Sequence, residues 1–220
     1  MMRTIIKKIY IRTLGCIYDI KLWCYKLLYS NINFGKHVRI SNVKFDRKCS
    51  IVIGDNVKLE NCSFHVVSPN KITINSFCEL HGVTFWMDDA NNSIEIGRYT
   101  TMVGPVQLAA CEQASISIGE DCMFAHDIYV RTTDSHSIIG NSGNRINMAK
   151  DVKVGNHVWV GMQSIFLKGS TVGDNSVIAA RTIVSSSTPN RQNAIIVGSP
   201  ARVLRDDINW CRDRLEFTKQ

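Results

Sequence analysis

Six histidines and eight cysteines are the residues of this 220-residue chain best suited to chemistry. In the run TTDSHSI, Asp134 stands two residues before His136, and an imidazole can take or give a proton near neutral pH. A lone loop histidine is as often an ordinary surface residue, so the pair needs a context. His126 and His157 are the nearest other imidazoles, ten residues before His136 and twenty-one after it. Those separations do not suit a three-histidine zinc site, and no metal is expected. The cysteines fall at 16, 24, 49, 62, 78, 111, 122 and 211 with no C-x-x-C pair. They read as small hydrophobes of a reducing, cytoplasmic protein. A serine acyl-enzyme of the esterase kind has no support, because G-x-S-x-G is absent.

The element that must position these groups is a repeat. From Val154 the chain divides into VGNHVW, VGMQSI, FLKGST, VGDNSV and IAARTI, followed by Val184. The first position is always apolar (Val154, Val160, Phe166, Val172, Ile178, Val184). The fifth is small or β-branched (Val158, Ser164, Ser170, Ser176, Thr182). Three sixes make a coil of eighteen. Upstream, Ile53, Ile74, Ile96 and Ile118 start similar units 21 or 22 residues apart, so three or four extra residues per coil must sit at a corner. Such a period predicts an all-β solenoid in which stacked coils continue one core. No helical pattern alternates with it between residues 50 and 199. His126 and His157 fall at third or fourth positions of their hexads, which face outward and could line a groove.

The repeat is interrupted once. Between Thr133 and Val154 the phase is lost for about twenty residues, a length more often functional than filler, and His136 lies inside that excursion. Residues 1–34 form a separate segment. Its stripe Ile6, Ile9, Thr13, Cys16, Ile20, Trp23, Leu27 predicts an amphipathic helix. Residues 1–48 carry eleven basic and two acidic side chains, the rest fifteen and seventeen. The basic character therefore belongs to the arm, and a nucleic-acid-reading face on the body is not expected. Charges interrupt the arm too often for a membrane span or a signal peptide. Docking on its own protein or a sister subunit, or peripheral contact of residues 1–30 with an anionic inner membrane, both fit. The divisions are 1–34, a solenoid over 35–199 with its excursion at about 134–151, and a C-terminal arm over 200–220. In that arm DDINWCRDRLEFTKQ reads as a short helix, with Asp206 and Asp207 at its start.

The hexads, TTDSHSI and the later GSPARVLR together resemble the hexapeptide-repeat acyltransferases, most closely the capsule and lipopolysaccharide O-acetyltransferases of the sialic-acid type. The resemblance spans about residues 50–205. It implies a left-handed parallel β-helix, a homotrimer with sites between adjacent prisms, acetyl-CoA as co-substrate and a saccharide acceptor. It assigns His136 as general base toward an acceptor hydroxyl, with Asp134 orienting the ring or stabilising the imidazolium. Trp159 holds the position of a functional tryptophan and could support the thioester or the tetrahedral intermediate. The pantetheine arm would meet Gly161, Met162, Ala179, Ala180 and Ser185, and the phosphates Arg202 and Arg205. Gly161, Ala179 and Ala180 are also what the repeat itself requires. Ser186 departs from the lysine common in the sugar acetyltransferases, and Arg181 stands where glycine is frequent. His126 and His157 are candidates for substrate contact. A xenobiotic or nucleotide-sugar acceptor, or an idle scaffold, are the alternatives.

Overall fold

The structure, a computed structural model, describes residue 24 and residues 31–45, 50–67 and 69–215. Its twenty-two short strands form three sheets, here A, B and C, of seven, nine and six strands. The chain visits A, then B, then C, and begins the next coil. Every pairing between successive coils is parallel except the last, where Arg202–Arg205 runs antiparallel to Ile195–Val197. The expected all-β parallel solenoid is what the chain builds.

The apolar period explains the closure. Side chains alternate in and out along each strand, and the inward ones stack in register. Ile53, Ile74, Ile96, Ile118, Val154 and Val172 form one unbroken column in sheet A. Val160 and Ile178 belong to sheet B, and Phe166 and Val184 to sheet C. All are buried. Each such side chain contributes about 1.5–3 kcal/mol by leaving water, and that gain continues from coil to coil. The fifth positions Val158, Ser164, Ser170, Ser176 and Thr182 are fully buried as well. They fill the tight corners, where only small or β-branched groups fit. Cys78 and Cys122 take the same place in upstream coils. Burial pushes their thiols up to about 12 and about 11, so they pack as hydrophobes and stay protonated.

The extra upstream residues sit at one edge. Sheet A to sheet B takes six residues, as from Ile96 to Met102 and from Ile118 to Phe124. From C back to A takes ten or eleven, as from Phe64 to Ile74 and from Phe85 to Ile96. The excursion is the longest version of this same C–A crossing, running from Ile128–Arg131 in sheet C to Val152–Val154 in sheet A.

The expected C-terminal helix is not formed over its described residues: Asp206–Leu215 is irregular. Its polar and aromatic side chains are drawn onto the prism at alternate positions, which a helix would turn away. Trp210 docks on His157, and Arg212 reaches Asp121, Thr101, Tyr99 and Cys122. The amphipathic arm over 1–34 falls outside the described residues up to Ser30, except for Cys24. Residues 32–34 are a strand of sheet A rather than part of that arm.

Candidate active site

The excursion is ordered by a side chain that spacing alone does not reveal. Asn147 is 7% exposed. Its Nδ2 donates to Asp134 Oδ2 and to the His136 carbonyl, both at 2.8 Å. Its Oδ1 accepts from the Ile138 amide at 2.7 Å and from Arg145 Nε at 3.1 Å. Around it, Lys168 Nζ donates to Asp134 Oδ2 and, at 3.0 Å, to the Asn147 carbonyl. Glu112 anchors the other side, accepting from Thr133 Oγ1 at 2.7 Å and from Arg145 Nη2 at 2.8 Å. Beyond them, Ile138–Ile146 folds back as a small hairpin through Gly140 and Gly143. The Lys168 ammonium and then the Asn147 amide hold the Asp134 carboxyl below the ordinary carboxylate range. Arg145 does the same for Glu112.

His136 stands on this frame with an exposed ring that makes no hydrogen bond among the described residues. Asp134 does not orient that ring in this structure. Its carboxylate is turned to Lys168 and Asn147, the stronger partners for a charged oxygen, so it braces the loop and not the imidazole.

Sheet B carries the second half of the site. Its outward side chains form two columns. One runs Met123, Trp159, Val177, Ile195 and ends at Arg205. The other follows one strand edge through Ala125, Gly161, Ala179 and Val197 and ends at Arg202. The second is a shelf of small residues. A Cβ on Gly161 would lie 2.6 Å from the Ala180 amide nitrogen, so the tight coil spacing itself demands glycine there. His126, Met162 and Ala180 flank the shelf on the B–C edge. His126 Nδ1 pairs with Asp127 at 2.9 Å. Three coil steps of about 4.8 Å separate Trp159 from Arg205. A shelf of that length with guanidinium groups at one end suits an extended chain that ends in phosphate.

Trp159 is 41% exposed, and its ring lies 6.1 Å from that of Trp210. Trp210 is in turn stacked on His157 at 4.1 Å and donates from Nε1 to the His157 carbonyl at 2.8 Å. Both nitrogens of the His157 ring are taken, Nδ1 by Asp121 at 2.7 Å and Nε2 by the Trp210 carbonyl at 3.0 Å. His157 is therefore a clamp for the C-terminal arm and has no nitrogen left for a substrate. Ser185 departs from expectation too. It lies at the C–A edge, in a turn that its hydroxyl closes with Ser187 and its amide with Thr188.

The structure thus gathers His126, Trp159, Gly161, Met162, Ala179, Ala180, Arg202 and Arg205 onto sheet B and its B–C edge. His136, Asp134 and Ser185 stand on the C–A edge, the one edge that sheet B does not share. Asn147, Lys168, Arg145 and Glu112 escape sequence reasoning. The only sequence signal for them is a cluster of polar residues inside and beside an interrupted repeat.

Residues 151–186 match the family described as bacterial transferase hexapeptide (six repeats). A polysialic acid O-acetyltransferase of Neisseria meningitidis is 37% identical over 132 residues, 54% of this chain and 56% of that protein. One from Escherichia coli O1:K1 is 36% identical over 57% of this chain and 41% of that protein. The chain thus spans about half the length of the curated relatives it matches. Among solved structures, the polysialic acid O-acetyltransferase OatWY superposes with a TM-score of 0.75 at 32% identity, over 85% of this chain and 90% of that one. With its stacked hexads and its single interruption, the chain belongs to the hexapeptide-repeat transferases.

Proposed function

We propose that this protein is an acetyl-CoA-dependent O-acetyltransferase acting on a hydroxyl of a bacterial surface saccharide, with a sialic-acid polymer as the first acceptor to test. Acetyl-CoA supplies an activated acyl thioester. The chain's own residues do the rest. His136 takes the proton of the acceptor hydroxyl as it attacks, and the excursion network holds the imidazole at its place. The Ala125, Gly161 and Ala179 shelf seats the pantetheine arm beside Trp159, with Met162 and Ala180 along its rim. Arg202 and Arg205 meet the phosphates, and His126 faces the acceptor.

One observation carries this reading: the free imidazole and the shelf occupy opposite sides of the same prism. A reaction needs them within about 3 Å of one substrate, so His136 of one copy serves the shelf of a neighbour, as a trimer of parallel prisms would allow. Such a protein works in the cytoplasm, where acetyl-CoA is made. Among the described residues no helix is long and apolar enough to cross a membrane, and the basic segment 1–30 gives the contact with an anionic inner membrane surface.

The test is complementation. His136→Ala should abolish transfer and leave CoA binding intact, and Ala179→Arg should block CoA binding. Mixed oligomers of the two variants should regain part of the activity. Full activity in His136→Ala would overturn the base assignment, and failure of every mixture to recover would overturn the shared site.

A further inference from the structure

The A–B edge carries a column that the proposed reaction does not use. Each coil places one residue there in the left-handed region: His37, Asn56, Phe77, Tyr99, Asp121, His157, Asn175 and Asn193, with φ between 52° and 65°. From Asn56 onward their amides donate to the carbonyl at the edge of the coil before, as Tyr99 does to Ser76 and Asp121 to Arg98. Asn, Asp and His tolerate this conformation best among residues with a Cβ, whereas a bulky aromatic is an outlier. Phe77 and Tyr99 are the two aromatics in the column, and the core gains little from them, since they are 39% and 48% exposed. Conformations of this kind persist where the surroundings over-determine them, and they cluster at ligand sites.

The two rings stack on each other with centroids 4.9 Å apart and planes 10° from parallel. The Arg98 guanidinium lies 5.4 Å from the Tyr99 centroid and 5.8 Å from that of Phe77. Arg98 is exposed and makes no ion pair among the described residues. Directly above, Arg212 donates to the Tyr99 carbonyl at 3.2 Å and is neutralised by Asp121. The result is an apolar step two coils long, with one uncommitted guanidinium. Aromatic surfaces of this kind receive the C–H faces of pyranose rings, and a guanidinium fork receives a carboxylate. Thr101, two residues after Tyr99, is in register with Met123 and Trp159. The step therefore lies two coils, about 10 Å, from Trp159 along the prism, roughly the span of a disaccharide.

We propose that Phe77, Tyr99 and Arg98 form a docking subsite for a carboxylate-bearing saccharide chain, which holds a long acceptor while a further unit reaches the transfer site. This rests on the saccharide-acceptor reading above and adds a preference for polymer over short acceptors.

The test uses the 220-residue chain with a sialic-acid trisaccharide and a long sialic-acid homopolymer as probes. In Phe77→Asn/Tyr99→Asn each new residue is the one three other coils already carry at this position, so the fold is expected to survive. The KM for the polymer should rise about fivefold with kcat unchanged, and the KM for the trisaccharide should stay constant. Arg98→Met should act in the same direction. Calorimetric titration of the polymer without acetyl-CoA should show the same loss of affinity. Equal effects on both probes, or none, would overturn the subsite. So would a change in oligomeric mass with polymer affinity intact, which would mark the step as a contact between copies. A parent protein that transfers acetyl to the trisaccharide but binds the polymer no better would sink the subsite alone. One that neither binds nor acetylates either probe would sink the acceptor reading as well.

Discussion

Replacing Asn147 by alanine isolates the contribution of loop geometry to the reaction. The substitution removes four hydrogen bonds, two of them to the His136 and Ile138 backbone that flanks the imidazole. At about 1 kcal/mol each, discounted because the loop rim is open to water, the loss is about 2–4 kcal/mol of loop ordering. The prism core is untouched, so this loss falls on the excursion and not on global unfolding. Lys168 and Glu112 still tether the ends, which leaves the imidazole displaced and not released. A displacement of about 1 Å at a proton-transferring group costs about 100-fold in rate. Steady-state kinetics should then show kcat down about 100-fold and KM for acetyl-CoA nearly unchanged, because the shelf is held by hydrogen bonds between coils that the substitution leaves in place. Hydrogen exchange should report the Ile138 amide as newly unprotected while the Ile118 and Val154 amides stay slow. If that amide were exposed and kcat stayed within about threefold of the parent, loop position would not set the rate and the reasoning would be wrong.

Trp210→Ala should undock the C-terminal arm, since it deletes the His157 stack and the bond to the His157 carbonyl. Limited proteolysis should then cut after Arg205 with little change in melting temperature, and an uncut arm would refute the clamp. Acid should loosen the excursion. Asp134 and Glu112 both have carboxyls held below their ordinary range, so their contribution is complete above that range and disappears as pH falls through the lower folded values. Exchange of the loop amides should therefore rise reversibly below about pH 4, and Lys168→Met should show the looser loop already at neutral pH; a loop indifferent to both would contradict the pairing.

Features visible in the residue order and features hidden from it differ in the range of the interactions that create them. The inward column from Ile53 to Val172 and the buried corner serines were legible because a six-residue period is a local property. Each hexad solves the same packing problem, and stacking repeats the solution. The excursion was legible for the same reason, as the place where the solution stops. Asp134, two residues from His136, looked like its partner, yet its carboxylate binds Lys168, thirty-four residues away. His157 looked free to meet a substrate until Trp210, fifty-three residues on, claimed it. The arm around Trp210 has helix-compatible spacing, yet its described residues Asp206–Leu215 form no helix, because contacts to the prism outweigh an isolated short helix, whose nucleation is unfavourable in water.

By itself, then, the order of amino acids determined the solenoid, its coil length and the location of its one break, since all three follow from which residues can face inward at each step. Only the tertiary structure decided which edge bears the imidazole, which side chains hold it, and that shelf and imidazole lie on opposite sides of one chain. Those outcomes depend on pairings between coils far apart in sequence, and no local pattern encodes a choice between distant partners of similar chemistry.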